Sequence, residues 1–324
     1  MSETPTLEFI AFCLQSMAGV GPARLRSILS RMAHEQVTPE AFTQLDDRAL
    51  AEYRLDSSVT ELLRDPPKET MAAWRQLLEK NIHVLALGNT SYPHALVARI
   101  GDHAPPLLFA QGNQDLLRLS AVGFCGSRRA SQRGLDVARE CSRLIALEGI
   151  NIISGYAHGV DMAAHGAALV AGGTTTLVLA EGILQFRLKS DLREAMTGDL
   201  SRVLIVSEFP PTLPWRAHSA MARNSTICGL SNAMVIVEAG KTGGTFEAGK
   251  TALRLGVPLF CVEFAEPAAS AEGNPYFLER GAHSLRRARS GVPNVSDLVS
   301  VARSGHIGSP RQNQLLLREE SSPQ

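Results

Sequence analysis

The chain has 324 residues, with 32 Lys and Arg against 32 Asp and Glu, so its formal net charge is +0. Hydrophobic residues make up 44%, enough for one large α/β domain plus a smaller one, and aromatics only 5%. The charge balance excludes a globally basic nucleic-acid binder, so polyanion contacts must come from a local patch, and the few aromatics argue against a surface made mainly of base-stacking platforms.

Met1–Leu7 is polar, with no basic stretch leading into an apolar run, so no signal peptide is expected. Residues 1–80 read as a small helical domain. Helical spacing runs through Leu7–Met17, breaks at Gly19-Val20-Gly21-Pro22 and resumes in Ala23–Met32. That break reads most simply as a plain helical turn; the alternative is a helix-hairpin-helix, whose free N–H groups hold a DNA phosphate. From Asn81 the period changes. Strand-like runs at Ile82–Leu87, Ala121–Cys125, Asn151–Ile153, Thr174–Leu179, Val203–Ser207, Ala233–Val237 and Pro258–Val262 alternate with helical segments at Gly134–Leu147, Asp161–Ala171, Leu188–Met196, Ala217–Leu230 and Thr245–Leu255. This alternation predicts an α/β fold over 81–290, a doubly wound, Rossmann-like, mostly parallel sheet. Residues 291–324 are expected to hold one short helix, Val295–Arg303, and a disordered tail rich in Ser, Gly, Pro and Gln. No stretch approaches the ~20 apolar residues of a membrane helix. The five cysteines are scattered with no CxxC pair, which fits reduced thiols in a cytoplasmic protein.

Ligands of such sheets bind beyond the strands' carboxyl ends, so the segment after each strand carries the functional signal. After Ala121–Cys125, Gly126-Ser127-Arg128 combines a tight turn, a hydroxyl, a cation and free N–H groups at a helix start, an anion site without the GxGxxG of dinucleotide folds. After Asn151–Ile153 come Ser154, Gly155 and Gly159, where backbone approaches a ligand closely. Asp161 can cap the next helix, and His165 lies four residues on. Without HExxH these do not read as a metal site, and an Asp161–His165 hydrogen bond supporting the glycine loop is expected. After Val203–Ser207, Glu208 opens a proline-stiffened loop leading to Arg223 and Asn224, with Arg223 the best candidate for an inward-facing cation. After Ala233–Val237, Gly243, Gly244 and Thr245 precede a helix and form a phosphate cradle. Gly244–Thr251 also matches GxxxxGK[ST]. The P-loop reading fails because the match starts several residues past the strand, consumes the next helix, puts Glu247 among phosphates and leaves one strand to follow.

These motifs resemble, in order, the DNA-processing protein A family (DprA, also called Smf). The resemblance is carried by Tyr92-Pro93 with Leu96, Pro105-Pro106-Leu107-Leu108, Gly112-Asn113, Gly126-Ser127-Arg128, and Ser154-Gly155-x-Ala157-x-Gly159-Val160-Asp161-x-x-Ala164-His165. Then follow Ser207-Glu208-x-Pro210-Pro211, Arg223-Asn224-x-x-Ile227-x-Gly229-Leu230-Ser231, Gly273-Asn274 and Leu278-x-x-Gly281-Ala282. The resemblance implies a non-catalytic protein that binds single-stranded DNA, forms a homodimer and loads a RecA-type recombinase during natural transformation, with no cofactor or metal. Gly126, Ser127, Arg128 and Arg223 would line the DNA pocket, and Asp161 and His165 would shape it. The sequence departs from the family pattern at Ser225, where a second arginine is usual, and at Ala220, where an aromatic is common. No winged-helix module, usual in many members, is expected after Gly291. A further departure, Gly243-Gly244-Thr245-Phe246-Glu247, resembles the lysine-decarboxylase-like (LOG) phosphoribohydrolases, whose glycine loop ends in a glutamate. It implies the alternative of a nucleotide-binding or N-glycosidic hydrolase module, serving signalling or defence, with Arg223 and Glu247 catalytic.

Overall fold

The computed structural model describes residues 5–196, 200–286 and 291–305. It begins with helices α1 (Leu7–Ser16), α2 (Pro22–His34), α3 (Pro39–Phe42), α4 (Asp47–Glu52), α5 (Ser58–Arg64) and α6 (Lys68–Glu79). Their starts follow local chemistry. The Thr6, Thr38 and Asp46 side chains accept from the backbone N–H of Phe9, Ala41 and Ala49, and Pro22 and Pro39 sit where a helix needs no N–H. The Gly19–Gly21 turn separates α1 and α2, with Gly19 at φ +79°.

The sheet region follows as β1 (Ile82–Ala86), α7 (His94–Ile100), β2 (Leu107–Gly112), β3 (Ala121–Cys125), α8 (Gln132–Leu147), β4 (Asn151–Ser154), α9 (Val160–Val170), β5 (Thr175–Val178), α10 (Ser190–Met196) and β6 (Val203–Ser207). It continues with α11 (Ala217–Leu230), β7 (Ala233–Ile236), α12 (Gly244–Arg254), β8 (Leu259–Val262), α13 (Asn274–Leu278), β9 (His283–Leu285) and α14 (Ser296–Ser304). The strands form one sheet in the order β1-β2-β6-β5-β4-β3-β7-β8-β9. β2 runs antiparallel to both β1 and β6, and the other pairings are parallel, with Val122 opposite Ile152 on one side and Ala233 on the other. From β3 the chain winds outward through β4, β5 and β6, then returns to place β7, β8 and β9 on the other flank. The reversal makes the β3–β7 boundary the switch point, where a crevice opens beyond the carboxyl ends. Two strands follow β7 rather than the one expected, because the three-residue β9 adds itself parallel to β8.

Strand side chains alternate between two covered faces. Ala121, Ile153, Met234, Ile236 and Leu259 pack under α7, α11 and α12 through Leu96, Ile227 and Ala248. Val122, Phe124, Ile152, Val235 and Phe260 face α8, α9 and α14 through Val137, Ala164 and Leu298. The N-terminal helices extend this second layer over β2 and β6, since Ile10, Phe12 and Leu29 share one apolar cluster with Phe109, Leu177 and Ile205. Phe12 meets Phe109 edge-on at 6.2 Å, and Trp74 closes on Phe9 and Phe12 with centroids 5.2 Å away in each case. All five cysteines are free and buried. No helix among the described residues is long and apolar enough to cross a membrane. The helix expected at Val295–Arg303 is α14; of the tail expected to be disordered, residues 305–324, Gly305 is the C-cap of α14 and the rest lies outside the described residues.

Candidate functional site

A cavity of about 480 Å³ fills the switch-point crevice. Gly126, Ser127 and Arg128 line it from the end of β3, Asp161 from α9, Arg223 and Asn224 from α11, and Gly244 and Thr245 from the start of α12. The helix α12 begins without a side-chain cap, so its first N–H groups stay open toward the crevice. Asn224 Nδ2 donates to Gly244 O at 3.2 Å and holds that turn in place. On the same wall Trp215, Ala217, Ala220 and Met221 present apolar surface, with Trp215 and Met221 about half exposed.

Arg223 is the buried cation of the site, 5% exposed. Its Nη1 donates to Val178 O at 3.2 Å at the end of β5, and its Nε has no hydrogen-bond partner. The guanidinium lies flat against the β4 loop: a Cβ on Gly155 would stand 1.3 Å from Nη1, so this position admits no side chain. Asp161, 5% exposed, accepts from the N–H groups of Gly155 and Ala157, both at 3.1 Å, and so folds the loop around Arg223. Burial raises the Asp161 carboxyl and lowers the Arg223 guanidinium from their ordinary values, and each charge opposes the other's shift. Gly159, at φ +81°, turns the chain into α9, where a Cβ would meet Ser127 O at 2.4 Å.

A second chamber of about 460 Å³ adjoins the first beyond β4 and β5, lined by Tyr156, Glu181, Arg187 and Lys189. Arg128, Trp215 and Arg223 line both chambers. Arg128 Cζ lies 5.5 Å from the Trp215 ring centroid, a cation–π wall between the two. Lys189 Nζ donates to Tyr156 O at 2.6 Å and sits 4.2 Å from the Tyr156 ring centroid. Burial lowers the Lys189 ammonium from its usual value.

The remaining expected residues stand behind the crevice. Ser154 Oγ donates to Phe124 O at 2.7 Å, tying β4 to β3. Gly243, at φ +98°, is the N-cap of α12. The half-buried Glu208 receives the Thr226 hydroxyl, and desolvation raises its carboxyl. The expected Asp161–His165 hydrogen bond does not form, because Asp161 is taken up by two backbone N–H groups. His165 Nδ1 instead lies 2.6 Å from Thr175 Oγ1, which donates to Ile152 O at 2.8 Å. Thr175 therefore accepts from Nδ1–H, leaving Nε2 as a buried lone pair without a partner. Glu247 pairs with Lys250 at 2.7 Å and lies outside the lining of both chambers. Among the described residues no three His, Cys, Asp or Glu side chains gather as metal ligands.

Sequence reading missed Trp215, Glu181, Arg187, Lys189 and Glu238. Glu181 stands just after β5 and Trp215 in the proline-stiffened loop after β6, but neither sits in a glycine-rich motif, and Arg187 and Lys189 lie at the entry to the segment read as the helix Leu188–Met196. Glu238, 1% exposed, accepts from Ser131 N at 2.9 Å and Ser270 Oγ at 2.6 Å and fastens the end of β7 to the start of α8. Its place directly after a buried strand was the available signal.

Residues 83–295 match the family profile described as DNA recombination-mediator protein A. Protein Smf of Escherichia coli strain K12 is 30% identical over 214 residues, 66% of this chain and 56% of that protein. DNA processing protein DprA of Streptococcus pneumoniae is 34% identical over 182 residues, 55% of this chain and 63% of that protein. The matched region thus spans between about half and two thirds of these relatives' length. A solved structure of DNA processing protein A from Streptococcus pneumoniae superposes with a TM-score of 0.70 at 26% identity, over 87% of this chain and 95% of that one. The Helicobacter pylori protein, solved for insight into its single-stranded DNA binding mode, shares the fold with a TM-score of 0.56 at 23% identity, over 69% and 97% of the two chains. The family profile takes in every strand from β2 to β9 and every loop that builds the crevice, and on that extent the chain belongs to the DNA recombination-mediator protein A family.

Proposed function

We propose that the crevice binds single-stranded DNA and that the protein, as a cytoplasmic homodimer without covalent chemistry of its own, delivers the strand to a RecA-type recombinase. The observation that carries the DNA reading is the shared wall of Arg128 and Trp215 between two cation-lined chambers. A cation beside an exposed ring is what a strand of alternating phosphates and bases requires. Trp215 supplies the ring that Ala220 lacks. The recombinase rests on the family description and the motif resemblance, and the dimer on the resemblance alone. The hydrolase alternative needs Glu247 at the reacting centre, and its pairing with Lys250 outside both chambers weakens that reading.

Anisotropy of labelled oligo-dT tests the binding. With roughly three phosphates neutralised, log affinity should fall against log salt with a slope of about −2. Arg128→Ala should weaken all sequences alike and reduce the slope by about 0.7. Salt-independent binding, or unchanged affinity in that variant, counts against the crevice. Base release from nucleoside monophosphates, lost in Glu247→Gln, would establish the hydrolase instead.

A further inference from the structure

We propose that the second chamber takes one unstacked base of the bound strand and that Glu181 makes guanine its preferred occupant. This rests on the DNA reading above and concerns base choice within it.

Glu181 is out of place in a phosphate-binding cleft. It shares its chamber with Arg128, Arg187, Lys189 and Arg223, yet its carboxylate forms no hydrogen bond or ion pair among the described residues. The residue is nevertheless held firmly. Its carbonyl oxygen accepts from Ser207 Oγ at 2.6 Å, anchoring it to the end of β6, and farther along the same loop Gln185 Nε2 donates to Thr212 O at 3.2 Å. Burial raises its carboxyl from the ordinary value, with Lys189 and Arg187 acting in the opposite sense. A phosphate beside this carboxylate is repelled, so the phosphate path runs past Arg128 and the first chamber. What enters the second chamber must bring hydrogen-bond donors.

A carboxylate has only acceptors. The Watson–Crick edge of an unpaired guanine offers two adjacent donors, N1–H and the 2-amino group, matching both carboxylate oxygens. Adenine and cytosine each set an amino donor beside a ring-nitrogen acceptor, and thymine sets one N–H between two carbonyl oxygens. Guanine is therefore the base that satisfies both oxygens without opposing an acceptor to either. Trp215, 49% exposed, lines the same chamber and supplies a stacking face open to any base. At about 460 Å³ the chamber is in the range of small-ligand sites, roughly 300–1,000 Å³.

The test uses the full chain and four labelled oligonucleotides, one all dT and three carrying a single central dG, dA or dC. The dG oligonucleotide should bind roughly tenfold tighter than the other three, the lower range for one bidentate base contact. In Glu181→Gln the ratio of dG to dT affinity should fall to about one. The ratio is the readout, so a variant with reduced overall binding still decides the matter, and the wild-type ratio stands without any variant. Equal binding of all four by the wild type overturns the proposal while leaving the DNA reading intact. A dG preference surviving Glu181→Gln also overturns it. Free dGMP competing at the same concentration as the dG oligonucleotide shows a mononucleotide site and overturns the strand reading. No binding to any oligonucleotide overturns the DNA reading and the base preference together.

Discussion

Gly155 and Arg223 are a matched pair, since the absent side chain of one is the seat of the other. Gly155→Ala puts a methyl group where Arg223 Nη1 now lies, and a guanidinium held by Val178 O in the field of Asp161 has no second position as good. The expected result is a loss of oligo-dT affinity of roughly tenfold or more, about the 1.4 kcal/mol of one charge-assisted contact. A titration of Gly155→Ala beside Arg223→Ala checks it, and wild-type affinity in the glycine variant would contradict the geometry. His165 makes a different prediction. Burial, with Arg223 and Lys189 adding to it, pushes its pKa from 6.5 down to about 3. Between these values the unfolded chain takes up a proton that the folded chain refuses. The stability from this group is therefore complete above about pH 6.5 and falls by about 1.4 kcal/mol for each unit below, until pH 3. Urea unfolding at pH 5.5 and 4.5 should show this loss in the wild type, and His165→Gln should remove that part of it.

The helix α12 shows how an element overrules a string of letters. Gly244–Arg254 is one uninterrupted helix, so the GxxxxGK[ST] match is wound up rather than looped around a phosphate. Lys250 points to Glu247 and lies 5.6 Å from the Phe246 ring centroid. Lys250→Ala should leave oligo-dT affinity within about threefold, below ~1 kcal/mol, in the same titration. Elements bounded by clear breakers were legible in the sequence: Ala121–Cys125, Val203–Ser207 and Ala217–Leu230 are found with the bounds read from it. β2 was not, because Leu107 to Ala110 is an unbroken apolar run behind two prolines and carries no period. β9 spans three residues, two of them exposed, and leaves almost no pattern. The glycine loops of the site were legible because their chemistry is local and follows directly from a strand. The second chamber was not, because Glu181, Lys189 and Trp215 meet only when the β5 and β6 loops close over β4, a tertiary event with no local signature.

Across the whole molecule, the helical segment and the sheet share one apolar cluster through Phe12, Phe109 and Trp74. Phe12→Ala opens that seam and should cost about 3–5 kcal/mol. If the seam couples the two parts, unfolding followed by Trp74 fluorescence in a Trp215→Phe background should coincide with unfolding followed by far-ultraviolet circular dichroism. Two separated transitions would show that the helices melt on their own. The five buried cysteines give the same molecule a built-in clock. Burial holds Cys13, Cys141, Cys228 and Cys261 at about 12 and Cys125 well above its usual value. The folded chain thus offers an alkylating reagent almost no thiolate at neutral pH. Label is taken up only as fast as the fold opens, region by region: Cys13 times the release of α1, Cys125 the floor of the crevice and Cys261 the strand β8 beneath the edge strand β9. A cysteine introduced at Ala220 would be the fast-reacting thiol, and a dye placed there would watch the crevice fill.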